Sequence, residues 1–243
     1  MNPKTFQDER NERIENNAYD IKLQQSSKVF LDESIRAQYS YNFSWMGRPI
    51  IQYPQDIIAM QEIIWNIKPD LIIETGIAHG GSLIFYASML KLLGRKGKIL
   101  GIDIDIRDHN CREIENHPMS KWITMIEGSS VDNTTIDQVH KFAQGKKRVL
   151  VCLDSLHTHD HVLRELEAYS PLVTRGSYCV VFDTIIEDIP DEYSADRPWG
   201  KGNNPKTAVW KFLANNKNFI VDKEIENKLL VTVCPDGYLK CVR

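Results

Sequence analysis

Two aspartates and a histidine in the middle of the chain could support metal-assisted proton transfer. Asp154 and Asp183 each close a short apolar run, and His157 follows Asp154 by one helical turn. Carboxylate oxygens are hard ligands that suit Mg²⁺, which also accepts substrate oxygens. The pattern predicts that Asp154 and Asp183 hold Mg²⁺, with Asp154 and His157 catalytic and His157 as the base. The alternative for His157 is a structural histidine that caps a helix or satisfies a hydrogen bond.

A glycine-rich turn, ETGIAHGGS, begins at Glu74 and leads into a predicted helix. Glycine permits positive φ and close backbone approach, and a helix N-terminus offers unpaired N–H groups to a carboxylate. The glycine spacing is not the GxGxxG of dinucleotide sites, so the turn predicts a ligand without pyrophosphate, namely S-adenosylmethionine. Asp103 closes the next strand, where it can accept both ribose hydroxyls, and Ser129 follows the third strand, near the adenine. The predicted cofactor-binding residues are Glu74, Gly76, Gly80, Ser82, Asp103 and Ser129.

Three clustered histidines suggest a different chemistry, that of a dizinc hydrolase with an HxHxDH motif. The chain reads His157-x-His159-Asp160-His161, which differs from that motif by one residue, and no histidine follows His161. Because zinc geometry depends on ligand spacing, this alternative is disfavoured. Helical geometry should turn His159 and His161 away from His157, so both are expected to be structural.

A sheet must bring these residues together. Short apolar runs alternate with helical patterns, which indicates an α/β fold with a parallel, Rossmann-like sheet covered on both faces. In such sheets the ligand binds beyond the carboxyl ends of the strands. The predicted strands cover residues 71–74, 99–103, 122–126, 149–154, 178–183, 219–222 and 229–234, the last two joined by a turn. The first predicted helix of this region begins at Pro54, and further helices are predicted at 82–93, 108–115, 132–143, 159–169 and 207–215.

Two regions are expected along the chain of 243 residues. Residues 1–50 form an N-terminal helical extension, and residues 51–243 form the Rossmann-like domain. The apolar stripe of the extension is sparse, so we expect it to pack on the domain or on another subunit, and a homo-oligomer is predicted. The loop 196–205, which contains Trp199, is expected to be either a substrate lid or an ordered surface loop.

Composition excludes several classes of partner and location. The formal net charge of -3 gives no electrostatic basis for binding nucleic acid or an anionic membrane. Five scattered cysteines without a CxxC pair predict neither a zinc knuckle nor a disulfide framework. The charged N-terminus is not a signal peptide, and no apolar stretch reaches about 18 residues, so a cytoplasmic protein without an integral membrane segment is expected.

From about Trp45 onward the chain resembles the cephalosporin hydroxylase family of S-adenosylmethionine-binding Rossmann-like proteins. The matching segments are WMGRPIIQYPQD, LIIETGIAHGGSLIFYASML, GIDIDIRDHN, EGSS, CLDSLHTHDHVLRELEAYSPLV, YCVVFDT, GNNPKTAVW and PDGYLK. The resemblance implies a class I methyltransferase sheet, mostly parallel with an antiparallel C-terminal strand. The family is similar to the rhamnosyl and macrolide-sugar O-methyltransferases, which use Mg²⁺ to hold a sugar hydroxyl near the methyl group.

The resemblance also assigns roles to individual residues. Asp154 and His157 match the metal ligand and the base of those relatives, and Asp183 matches one member of an acidic pair. Phe182 replaces the other member of that pair. The candidates for the missing ligand oxygen are Thr184, Glu187 and Asp188.

These observations predict a Mg²⁺-assisted, S-adenosylmethionine-dependent O-methyltransferase that acts on a hydroxyl of a sugar or other small natural product. The alternative is a non-catalytic cofactor-binding subunit that supports a partner enzyme, which the replacement at Phe182 keeps open. An NAD-dependent dehydrogenase would need a GxGxxG turn, and an iron-dependent hydroxylase would need a facial triad spacing that the chain lacks.

Overall fold

A computed structural model describes residues 4–94 and 96–243 of the chain. The N-terminal part contains α1 (Phe6–Asn17), α2 (Ile21–Arg36), a 3₁₀ turn (Tyr39–Asn42) and a hairpin of β1 (Ser44–Trp45) and β2 (Arg48–Pro49). The later helices are α3 (Pro54–Ile67), α4 (Gly81–Leu92), α5 (Asp108–Glu115), α6 (Asn133–Ala143), α7 (His159–Tyr169), α8 (Pro205–Asn215) and α9 (Lys223–Leu229). The later strands are β3 (Leu71–Thr75), β4 (Lys98–Asp103), β5 (Ile123–Glu127), β6 (Val149–Leu153), β7 (Tyr178–Val181), β8 (Phe219–Val221) and β9 (Tyr238–Cys241).

One large sheet organises the molecule. Within the described residues its seven strands lie in the order β5-β4-β3-β6-β7-β9-β8. All neighbours from β5 to β7 pair in parallel, whereas β9 runs antiparallel between β7 and β8. The predicted Rossmann-like α/β sheet with an antiparallel C-terminal strand is therefore confirmed.

Alternation along the central strand builds two cores. Ile72 of β3 packs into the cluster formed with α3 and α4, whereas Leu71 and Ile73 face the cluster formed with α6, α7 and α8. All three side chains are fully buried. A strand that is apolar on both faces has no solvent side, which is why its sequence is a continuous apolar run rather than an alternating one.

The strand order reverses at β3. The chain leaves β3 for β4 on one side of β3 and later returns to β6 on its other side. The connections that follow the adjacent strands β3 and β6 therefore lead to helices on opposite faces of the sheet. Such a switch point opens a crevice at the carboxyl edge of the sheet. The register pairs Thr75 with Leu153, and Asp154 N donates to Thr75 O at 2.9 Å. The glycine turn and Asp154 therefore begin side by side.

The N-terminal extension packs on the sheet domain. Ile14 of α1 is buried, and Asn17 Nδ2 donates to Asn227 O at 3.0 Å near the end of α9. Trp45 Nε1 donates to Ser88 Oγ at 3.0 Å, which ties the hairpin to α4. Apolar side chains of α2, including Val29, remain exposed. None of the helices in the described part of the chain is both long enough and apolar enough to traverse a bilayer.

The predicted strand at residues 229–234 is wrong. Leu229 ends α9, the last strand is Tyr238–Cys241, and β8 and β9 are connected through α9 rather than by a turn. The buried Asp56 carboxylate accepts hydrogen bonds from Val233 N at 3.0 Å and from the Thr232 hydroxyl. A side chain thus takes the place that a strand partner would have had, and the apolar run is held as a loop.

Replacing Gly76 with alanine should destabilise the protein far more than the same change at Gly145. Both glycines have positive φ, at +88° and +76°, so each alanine costs about 1–2 kcal/mol of strain. A Cβ on Gly76 would also lie 1.9 Å from Asp154 O, whereas no described atom lies within 4 Å of one on Gly145. We expect a loss of about 3 kcal/mol or more for Gly76→Ala by urea unfolding. Equal losses in the two variants would contradict the close contact.

Candidate active site

A cavity of about 620 Å³ lies at the carboxyl edge of the sheet. Its wall is formed by the loops that follow β3, β4, β5, β6 and β7, as expected for a crevice at a switch point. The sequence-predicted residues that line it are Gly76, Asp103, Ser129, Asp154, His157 and Asp183. The structure therefore brings the predicted cofactor turn and the predicted metal and base residues to one cavity.

Asp154, His157 and Asp183 form a compact cluster in that wall. Their nearest ligand atoms all lie within 4.8 Å of one another, and His157 Nε2 is 3.2 Å from Asp183 Oδ2. Among the described residues this is the one group of such side chains close enough to share an ion. His157 belongs to the loop before α7, which begins at His159, so the predicted helical turn between Asp154 and His157 is wrong.

The cluster crowds carboxyl groups into a small volume. Burial raises the pKa of the Asp154 carboxyl well above its usual range, and the nearby charges of Asp183 and Glu74 raise it further. Within the described ranges, no lysine or arginine nitrogen lies within 4.0 Å of either aspartate of the cluster. Two carboxylates and an imidazole in a partly dry cleft, without a basic side chain, make a donor set that fits a divalent cation such as Mg²⁺.

The candidates for an additional ligand oxygen lie elsewhere. Glu187 Oε2 accepts from Gly202 N at 2.7 Å and from Asn204 Nδ2, and Asp188 Oδ2 accepts from Lys206 Nζ. These bonds hold the loop after β7 against the start of α8. Thr184 is fully buried, and its hydroxyl has no partner in the part of the chain that the structure describes. Phe182, at the position of the missing acid, contributes an apolar side chain to the cavity wall.

Glu74 and Ser82 shape the glycine turn from behind. Glu74 is fully buried, and its Oε2 accepts a hydrogen bond from Ser82 Oγ at 2.6 Å, in the first turn of α4. Burial raises the pKa of the Glu74 carboxyl to about 8, against the opposing effect of the Ser82 hydrogen bond. Gly80, with φ of +79°, caps α4. Glu74, Gly80 and Ser82 thus lie outside the wall of the large cavity; their role as cofactor contacts stays a prediction.

Asp103 ties the turn to the next strand. Its Oδ2 accepts from Ile77 N at 2.7 Å and from Ala78 N at 3.3 Å, while Oδ1 accepts from Asp105 N at 3.2 Å. The carboxylate therefore braces the turn and also faces the cavity. Ser129 lines the cavity from the loop after β5.

Several wall residues were not assigned to the site from the sequence. Ser40 and Tyr41 come from the N-terminal extension, and Trp199 comes from the loop expected to be a lid or surface loop. The Trp199 ring meets the His157 ring edge to face, with centroids 4.8 Å apart. The aromatic residue within a Gly/Pro/Asn-rich loop was a usable signal for Trp199, whereas no local pattern marks Ser40.

His159 and His161, the two histidines that follow His157 in the sequence, face other partners. His159 Nδ1 is 2.8 Å from Thr207 Oγ1, and His159 N donates to Asn203 Oδ1 at 2.9 Å, which anchors the loop that carries Trp199. His161 lines the cavity but contacts serine hydroxyls rather than His157. The structure therefore offers no shared site for a pair of zinc ions on these histidines.

Substitution of Glu74 by glutamine should change how stability depends on pH. The native pKa of about 8 exceeds the unfolded value near 4.3, so the stability from the neutral carboxyl is complete below about pH 4.3 and is lost as pH rises to about 8. As pH rises through this window, the free energy of unfolding of the wild type should fall by up to about 1.4 kcal/mol per pH unit relative to that of Glu74→Gln. Urea unfolding at about pH 5 and about pH 8 measures this, and parallel profiles would contradict the burial effect.

Comparison with known proteins assigns residues 37–242 to the family described as Rhamnosyl O-methyltransferase/CmcI. The Rhamnosyl O-methyltransferase of Mycobacterium tuberculosis is 29% identical over 198 residues, which cover 81% of this chain and 77% of that protein. The protein of the same name from Mycobacterium leprae is 30% identical over 148 residues, or 60% of this chain and 62% of that protein.

Solved structures support the fold. A structure of CmcI described as Mg-SAM has a TM-score of 0.59 at 20% identity and covers 84% of this chain and 78% of that chain. The O-methyltransferase from Bacillus cereus in complex with SAH has a TM-score of 0.52 at 11% identity, covering 90% and 84%. At these identities the likeness shows a common fold. Because the family match spans most of the chain, the resemblance predicted from sequence is confirmed, and the chain belongs to the rhamnosyl O-methyltransferase/CmcI family.

Proposed function

We propose that this chain transfers a methyl group from S-adenosylmethionine to a hydroxyl of a sugar or other small natural product, with assistance from Mg²⁺. Its family confirms the predicted class of S-adenosylmethionine-dependent methyltransferase. The observation that carries the finer proposal is one cavity whose wall includes both the glycine turn, at Gly76, and the cluster of Asp154, His157 and Asp183.

The turn side of the cavity suits the cofactor. Gly76 presents bare backbone to the cavity. A smaller pocket that also borders Gly76 is lined by Gly81 and Ser82, at the N-terminus of α4, where unpaired N–H groups would favour a carboxylate. Asp103 offers carboxylate oxygens where ribose hydroxyls would lie, and Ser129 adds a hydroxyl beyond it. S-adenosylmethionine, when bound, supplies an electrophilic methyl on a sulfonium sulfur.

The opposite side suits a hydroxyl that must lose its proton. His157 faces the cavity and can take that proton, while Asp183 Oδ2, 3.2 Å from Nε2, orients the ring. Trp199 packs on the same ring and limits its rotation. Asp154 and Asp183 would hold a Mg²⁺ ion, whose Lewis acidity lowers the pKa of the acceptor hydroxyl. Alignment of the acceptor with the methyl supplies the remaining advantage.

A sugar-like acceptor fits the aromatic parts of the wall. Tyr41 and Trp199 add apolar rings close to polar groups of the catalytic cluster, and such surfaces accommodate the C–H faces of a pyranose beside its hydroxyls. The rhamnosyl O-methyltransferases among the relatives support this acceptor class. Calorimetry of S-adenosylhomocysteine with the pure protein tests the first half of the proposal, and an absence of binding would overturn it.

The second candidate is a cofactor-binding subunit without turnover, which Phe182 favours because it replaces an acid with an apolar ring in the cavity. Asp154→Ala separates the two candidates. For an enzyme, methyl transfer to rhamnoside acceptors should fall by about 10²-fold or more, while the affinity for S-adenosylhomocysteine changes little. Asp160→Ala, an exposed aspartate in the first turn of α7, serves as the control. Binding of S-adenosylhomocysteine by a wild type that transfers no methyl group would favour the non-catalytic subunit, and equal activities of the two variants would exclude a role for Asp154.

Binding of a divalent cation should depend on Asp183. Removal of the Asp183 carboxylate leaves Asp154 as the one remaining carboxylate of the cluster, so we expect Asp183→Asn to weaken binding of Mn²⁺, used as a probe for Mg²⁺, by about tenfold or more. Electron paramagnetic resonance titration measures this, with Asp160→Asn as the matched control. Retention of wild-type Mn²⁺ affinity in Asp183→Asn would exclude the cluster as the ion site.

A further inference from the structure

A buried carboxylate lies behind the cavity wall, outside the catalytic cluster. Glu165 of α7 is fully buried, and its Oε1 accepts from Ser130 Oγ at 2.6 Å and from Ser155 Oγ at 2.7 Å. His161 Nε2 lies 3.1 Å from each of these hydroxyl oxygens. Ser130, Ser155 and His161 line the cavity, whereas Glu165 does not.

The hydrogens of this set can be assigned by counting donors. A serine hydroxyl has one hydrogen and two lone pairs, and both hydroxyls direct that hydrogen to Glu165 Oε1. Because Ser130 and Ser155 have no second hydrogen, His161 Nε2 must donate to them. This assignment applies to the ionised carboxylate, which has no hydrogen and can only accept, and His161 Nε2 lies 3.4 Å from the same Oε1. The two hydroxyls therefore offer only lone pairs to the cavity.

This acceptor wall is held rigidly by one face of α7. His161, Glu165 and Tyr169 are spaced by four residues, and the Tyr169 hydroxyl donates to Ser130 O. Arg164 adds a bond to Val131 O at 3.0 Å. Hydroxyl rotors that are normally adaptable are fixed here in one orientation, and such fixed dipoles discriminate between donors and acceptors.

Two exposed apolar side chains indicate what lies against this wall. Ile104, 74% exposed, follows Asp103, and Leu156, 41% exposed, follows Ser155; both line the cavity. A flat apolar ring in this cavity can cover both side chains, and Ser130 and Ser155 are polar groups of the same wall that its edge can reach. An acceptor-only wall pairs with a hydrogen-bond donor on that edge, such as an exocyclic amino group.

We infer that Glu165, acting through Ser130 and Ser155, makes this wall select a 6-aminopurine over a 6-oxopurine. The inference rests on the proposed function, since it takes the ring to be the adenine of S-adenosylmethionine. Glu165 is a positioning residue, because it reaches the ligand only through the hydroxyls. A 6-oxo group would face two oxygens that have no hydrogen to give, and this mismatch costs affinity.

The test compares S-adenosylhomocysteine with S-inosylhomocysteine, which carries the 6-oxo group, by calorimetry on the full chain. The wild type should prefer S-adenosylhomocysteine by about tenfold or more. Glu165→Leu frees the hydroxyl hydrogens, so the preference should fall to within about threefold. Glu165→Gln retains an acceptor at Oε1 and should keep the wild-type preference. Ser40→Ala, which removes a cavity hydroxyl outside the set, should also keep it.

A double variant guards against misfolding of Glu165→Leu. Ser130→Ala with Ser155→Ala removes both hydroxyls and should likewise abolish the preference, even if Glu165→Leu does not fold. An equal affinity of the wild type for both compounds would overturn the inference, as would a full preference in the double variant. If the wild type binds S-adenosylhomocysteine, these results contradict only the selection by Glu165, and the proposed function is unaffected. If it binds neither compound, the proposed function fails and the inference fails with it.

Discussion

The backbone contact between Gly76 and Asp154 sets the geometry on which the cavity depends. The Asp154 carbonyl occupies the place where any other residue at position 76 would put its Cβ. The loops after β3 and β6 can therefore lie against each other, although both leave adjacent parallel strands. Asp103 secures the same turn from the opposite side through Ile77 N. The proposed cofactor side of the cavity thus includes the bare backbone at Gly76, and its position relative to the cluster of Asp154, His157 and Asp183 follows from strand pairing.

Charge and polarity are distributed unequally around the cavity. The cluster of Asp154, His157 and Asp183 crowds carboxyl groups, which raises the pKa of Asp154, and a bound cation would relieve that repulsion. At Ser130 and Ser155 the hydroxyl hydrogens are instead directed to Glu165, so the hydroxyls keep only lone pairs for the cavity. In the proposed function, the first side is the reactive one, and the second is a recognition surface. α7 begins beside the first and supplies the carboxylate behind the second.

The sequence was most informative where chemistry and periodicity coincide. Buried strands need continuous apolar runs, so the strands that end near Asp103 and Asp154 were predictable to within a residue or two. The run at residues 229–234 misled because its backbone is bound by Asp56, a long-range side-chain contact that no local pattern reveals. The same applies to Ser40 and to the pairing of Glu165 with Ser130. Such contacts depend on how elements pack, and only the three-dimensional arrangement shows them.

Residues from distant parts of the chain share the cavity wall. Ser40 precedes the whole sheet, and Val233 follows almost all of it, yet both line the same space. Bringing such remote segments together costs loop-closure entropy, so they meet only when the rest of the chain is in place. A ligand that fills the cavity therefore binds the complete native state and scarcely binds partly folded ones. By mass action such a ligand raises the free energy of unfolding of the whole chain, and the increase grows with ligand concentration.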